Sequence, residues 1–126
     1  MSPCQALKTT EGSKCPGVLH LYIHLMELSD NPEVALPAAD TLANLLPMAG
    51  HLLHMPGHIY IWAGEFKKSV DSSSRGVQAD NITTELTGIK SNFYYLYRVH
   101  NYHFVVWSPS LPRLSTGRGS LEMLPS

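Results

Sequence analysis

All seven histidines of this chain fall into three short groups: His20 with His24, then His51, His54 and His58, then His100 with His103. Imidazole is the side chain that changes charge near neutral pH and, when neutral, the commonest protein ligand for transition metals. His20, His24 and Glu27 are spaced i, i+4, i+7, so a helix places them on one face, where two rings on adjacent turns can share a metal and Glu27 can serve as a third ligand. The competing reading of this pair is two partly buried helix residues bonded to neighbouring loops. In the second group Pro56-Gly57 interrupts the spacing. One regular helix then cannot present His51, His54 and His58 together, whereas a loop running into a helix start can converge them. His100 and His103 share a face beside Tyr97, Arg98 and Tyr102, a mixture that suits an anion-binding groove or a satisfied polar core equally well.

Seven imidazoles in three places exceed what packing alone requires, so the groups are read together as one candidate site. His54 follows His20 by 34 residues, and His58 follows His24 by the same interval. Neutral nitrogen donors select zinc, copper or iron over magnesium and calcium, which prefer oxygen. The candidate metal ligands are therefore His20, His24, Glu27, His51, His54, His58, His100 and His103. Cys15 is a further thiolate candidate. No phosphate-binding glycine loop and no nucleophile elbow is present, and Asn81-Ile82-Thr83 matches the glycosylation pattern without a secretory context.

The elements that must hold these residues read as helices. Val18 to Leu28 is apolar enough for a buried helix. Asp30 or Asn31 caps the next, with Pro32 in its first turn, and Ala35, Ala39, Leu42, Leu45 and Leu46 form its apolar stripe. Pro37 is expected to bend that helix near its beginning. Pro56 disfavours helical angles at Met55, a further helix runs from Pro56 to about Ala63, and Gly64 ends it. Glu65 to about Asp80 reads as a helix weakened by Ser72-Ser73-Ser74 and Gly76, Asn81 to Ser91 as a polar connection, and Asn92 to Trp107 as an aromatic helix. Residues 1–16 read as a flexible N-terminal segment, 17–107 as the folded domain, and 108–126, rich in Pro, Gly and Ser, as a disordered or aberrant tail outside it.

With 126 residues, 44% hydrophobic and 15% charged, the chain is long enough for one cored domain. A formal net charge of -1 provides no electrostatic footprint for nucleic acid or an anionic membrane, and no run approaches the roughly 20 apolar residues that span a bilayer. No nucleic-acid partner, no membrane and a cytoplasmic setting are the expectation. Cys4 and Cys15 are read as free thiols.

Gly57, Tyr60, Gly64, Phe66 and Ser69 fit the small and aromatic pattern of a tetratricopeptide repeat, and a degenerate copy lies 34 residues earlier, with Ala35 opposite Ser69 and Met26 opposite Tyr60. The fold class expected is all-α, with antiparallel helix pairs of tetratricopeptide type and about five helices. The segments CPGVLHLYIHLMELS, NPEVALPAADTLANLLPMAGHLLHMPGHIYIWAGEF and NFYYLYRVHNYHFVV resemble a family of tetratricopeptide-repeat-like proteins of bacteria and fungi, over roughly residues 15 to 106. Cys15 stands where that family usually has histidine, and Met55-Pro56-Gly57-His58 stands for its Met-Pro-Ser-His. The family's remaining motif histidines map onto all seven of this chain. Its members are longer, so the resemblance implies an internal piece. It implies a fold and assigns no reaction.

Two functions from different classes follow. One is a helical-repeat protein whose histidine-rich concave face binds a transition metal or small ligand, with metal-dependent enzyme activity as its extension. The other is a non-catalytic interaction module that holds a protein or peptide in that concave groove.

Overall fold

A computed structural model of the chain describes residues 2–88 and 94–107, and among these every regular element is helical. The α-helices are α1 (Pro3–Ala6), α2 (Pro16–Glu27), α3 (Leu36–Leu42), α4 (Gly50–His54), α5 (Pro56–Trp62), α6 (Phe66–Thr87) and α7 (Tyr94–Trp107), with short 3-10 turns at Gly12–Lys14 and Pro32–Ala35. The expected all-α class is therefore correct. No helix among the described residues is long and apolar enough to cross a membrane. The tail expected over residues 108–126 lies outside the described residues.

The aliphatic core joins α2, α3 and α5. Leu19 and Ile23 from α2 meet Ala35, Ala39 and Leu42 from the next helical segment and Met55, Ile59 and Tyr60 from the chain entering and forming α5, all buried. Residues facing away from this seam on α2, Leu21 and Leu25, are exposed. Removing the buried side chains from water supplies the driving force here, about 1.5–3 kcal/mol for each large one. Tyr60 closes the edge by donating its hydroxyl to Asp40 at 2.7 Å.

Several local expectations change in the folded chain. Residues 3–14 are not a plain loop: Thr9 donates its hydroxyl to the Ala6 carbonyl, accepts from the Gly12 amide, and Leu7 packs against the core. The stretch from Pro32 to Leu46 is not one bent helix. A 3-10 turn ends at Ala35, α3 starts at Leu36, and Pro37 occupies an early position where its missing N–H would be unpaired in any case. Because α3 stops at Leu42, Leu46 leaves the apolar stripe and is exposed.

Met55 keeps helical angles (φ -51, ψ -40) despite Pro56, since Pro56 opens α5 instead of interrupting α4. The junction of α4 and α5 thus keeps helical backbone angles at Met55, and the proline costs one internal hydrogen bond there. His51 and His54 lie on α4 and His58 on α5, so, as the Pro-Gly break implies, no single regular helix carries all three.

The helix α6 is longer than expected, and its weak-looking residues explain why. Ser69, Ser72, Ser73, Gly76 and Asp80 are buried along one face against α4 and α5. A Cβ on Gly76 would come within 2.7 Å of the Gly50 carbonyl oxygen, and a Cβ on Gly50 would fall upon the Asp80 carboxylate. Small residues thus allow the helices to approach until backbone meets backbone. The serines are satisfied in the process: Ser72 donates to the Leu53 carbonyl and Ser69 to the Gly57 carbonyl. This tertiary packing outweighs the modest helix penalty of Ser and Gly. Beyond Asp80, Thr84 and Thr87 donate back to carbonyls one turn earlier, and the helix ends at Gly88, whose φ of 68 is the left-handed conformation of a C-terminal cap. Residues 81–87 are accordingly helix rather than connection.

The aromatic helix is observed as α7 and packs on α6 and α4. Its buried Asn101 donates to Asp80 at 2.8 Å, while Arg98 and Tyr102 both donate to Asn81.

Candidate metal centre

Three elements converge on one volume: α2 brings His20, His24 and Glu27, the α4 to α5 path brings His51, His54 and His58, and α7 brings His100. The close seam of α4 and α5 on α6 sets the depth of the middle element, and Asn101, next to His100 in sequence, fixes α7 through Asp80.

The rings sort into two sets. In the first, the His20 Nε2 lies 3.0 Å from the His24 Nε2 and 3.2 Å from the His51 Nε2. In the second, the His58 Nε2 lies 3.0 Å from the His54 Nε2 and 3.4 Å from the His100 Nε2. Within each set the candidate ligand atoms all lie within 4.8 Å of one another. Nitrogens held 2.0–2.1 Å from a tetrahedral metal stand roughly 3.3 Å apart, close to two of the three separations in each set, so a small closing of the third pair would bring three imidazoles around one ion.

Glu27 settles the orientation of one ring in each set. Its Oε1 accepts from the His24 Nδ1 at 2.9 Å, and its Oε2 accepts from the His58 Nδ1 at 2.5 Å. A neutral imidazole that donates its Nδ1–H to a carboxylate keeps its lone pair on Nε2, the arrangement found behind metal-bound histidines. Glu27 thus lies behind the rings, on the side away from the facing Nε2 atoms. His54 is oriented in the same manner by Ser73, whose hydroxyl is 3.1 Å from the His54 Nδ1.

Burial and mutual repulsion keep the facing nitrogens unprotonated. Burial, then the neighbouring rings His58, His100, His51 and His24, push His54 down to about 2. Burial, with His20 and His24 next in effect, pushes His51 down to about 4. His20 and His100 are lowered as well, again chiefly by burial. Burial opposes ionisation of Glu27, but its hydrogen bonds to His58 and His24 prevail and hold it at about 2. Around neutral pH these four imidazoles are uncharged and Glu27 is a carboxylate. The Nε2 atoms of His20 and His58 each face two other ring nitrogens. One proton satisfies a single nitrogen pair, whereas a cation between the rings satisfies all three at once.

An aromatic wall completes the centre. The Phe104 ring lies 4.6 Å from that of His54, 4.5 Å from His58 and 5.0 Å from His100, and the Tyr97 ring lies 4.4 Å from His51. A cavity of about 430 Å³ opens beside the rings, bounded by His20, His24, His51, Leu96, Tyr97 and His100.

Of the residues singled out in the sequence, six histidines converge and Glu27 bonds two of them. His103 is exposed, belongs to neither set, and lines a separate cavity with His100, Phe104 and Trp107. Cys15 is an exposed free thiol at the start of α2 and is in neither set. Ser73 and Phe104 were not anticipated, and Tyr97, singled out for its place beside His100 and His103, stands against His51. Phe104 was legible in principle, one helical turn after His100, but Ser73 carries no sequence signal because its partner is 19 residues away.

Comparison with protein-family models, curated proteins and solved structures finds no match to this chain.

Proposed function

We propose that this protein is a transition-metal-binding helical protein that holds two ions, one on His20, His24 and His51 and one on His54, His58 and His100. The observation that supports this reading is the convergence of three Nε2 atoms in each of two places, with the Nδ1 atoms of His24 and His58 engaged by a single carboxylate. Imidazoles retained only for packing have no need to aim lone pairs at one another.

All-imidazole sets favour zinc or copper. Non-haem iron sites usually add a carboxylate to the metal, and Glu27 is instead occupied behind the rings. Three protein ligands leave a fourth position on each ion, the feature that separates catalytic from closed structural zinc sites. Such a position lets a bound metal polarise a substrate oxygen or activate water, so metal-dependent catalysis is the natural extension of the reading.

The test is elemental analysis of protein purified without a histidine tag and equilibrated with zinc or copper. Two equivalents per chain are expected. Binding of neither ion above background would reject the proposal and favour the interaction module.

A further inference from the structure

We infer that the two histidine sets form a single dinuclear centre that recruits an exogenous anion, bridging both ions from the side of the cavity. This inference rests on the metal-binding reading above and names the ligand class of that same site.

The two sets are not separated by intervening structure. Ring centroids across the divide are 6.0 Å apart for His24 and His58 and 6.2 Å for His51 and His54. The widest pair inside a set, His24 and His51, is 6.5 Å apart. The six rings therefore form one continuous cluster, with Glu27 bonded to a ring of each set.

Charge then dictates what must join them. Two divalent ions bring four positive charges, the six imidazoles bring none, and Glu27 contributes one negative charge from behind the rings. Like charges this close, in a partly buried site where water screens poorly, require a negative group between them. The ligand sets consist of histidine alone, so that group comes from solution.

The cavity supplies the route. Its lining includes His20, His24 and His51 from one set and His100 from the other, so a molecule inside it can reach both ions. Its volume of about 430 Å³ is that of a small-molecule site, and Leu96 and the Tyr97 ring add apolar lining beside the histidines. The chemistry selected is a small anionic donor, alone or carrying a compact apolar body.

Copper and azide test this directly. The full chain is loaded with Cu(II), and azide is titrated while optical absorption and electron paramagnetic resonance are recorded. A bridged pair takes up one azide for two copper ions, and its spin signal collapses by magnetic coupling. His20→Ala, which alters a partly exposed position, should retain a single copper with a full, azide-insensitive spin count. If two copper ions bind but keep independent, full-intensity signals and take up two azides, the dinuclear inference is overturned while the metal-binding reading survives. If no copper binds, both fall together.

Discussion

The Glu27 carboxylate and the His58 imidazole meet at 2.5 Å, joining the C-terminal turn of α2 to the first turn of α5 at the point where the two histidine sets adjoin. With its other oxygen on His24, Glu27 acts as a positioning residue for both sets. Replacing it with glutamine keeps the shape but removes the charge and one of the two acceptors. Glu27→Gln should weaken metal binding by about 10–100-fold, the usual loss when an outer-shell partner is changed. Competition against a metallochromic chelator measures it, and an unchanged affinity would show that Glu27 does not orient the rings.

Stoichiometry should divide by set. His24→Ala and His100→Ala each remove a ligand from a different group of three, so each variant should lose one of two equivalents while far-ultraviolet circular dichroism stays close to wild type. His103→Ala, an exposed position in neither group, should lose none. Loss of both equivalents in His103→Ala would mean that α7 contributes differently from the arrangement described.

The metal-free protein should be acid-labile. In the folded chain His51 sits at about 4 and His54 at about 2, against 6.5 for the free side chain. As pH falls the unfolded chain takes up these protons first, so the contribution of both rings is complete above pH 6.5 and is lost progressively toward pH 4 and below. Glu27, held at about 2 against 4.5, works in the same direction, its contribution declining below pH 4.5. The Tm by differential scanning calorimetry should therefore be lower at pH 5 than at pH 8. A Tm that rises on acidification would contradict the neutral, buried state of these rings.

The seam between α4 and α6 should tolerate no added volume. A methyl group at Gly76 meets the Gly50 carbonyl oxygen at 2.7 Å, and neither backbone can yield without displacing His51 and His54. Gly76→Ala gains some helix propensity, but the overpacking should dominate, with a net loss of about 1–3 kcal/mol in urea denaturation and a fall in metal content. Gly17→Ala makes the contrast, because a methyl there meets nothing within 4 Å and should be neutral or mildly stabilising.

Removing the Asn101 amide should reach the centre indirectly. Asn101→Ala deprives the buried Asp80 carboxylate of a donor and loosens α7 beside His100. A loss of about 1–3 kcal/mol follows from leaving a buried acceptor short of a partner. The metal set containing His100 should weaken more than the one containing His20, which site-selective titration with Co(II) can resolve.

Local chemistry made part of this molecule legible before any folding. The i, i+4, i+7 spacing of His20, His24 and Glu27 needs only a helix to share a face, and the apolar run around it makes that helix certain to be partly buried. The same holds for His100 and Phe104 on α7. Helical class, the candidate histidines and the preference for nitrogen-loving metals all follow from residue type and local periodicity, which act over a few residues of chain. Tertiary structure decided the rest. The serines and glycine of α6 lower intrinsic helicity, and their value appears only when Gly50 and Gly57 press against them. Likewise, whether His51 joins His20 and His100 joins His58, and whether Glu27 binds a metal or aligns two rings, depends on contacts between residues far apart in the chain. Such contacts are set by how closely whole helices can approach, a property of packed surfaces that spacing along one helix does not encode.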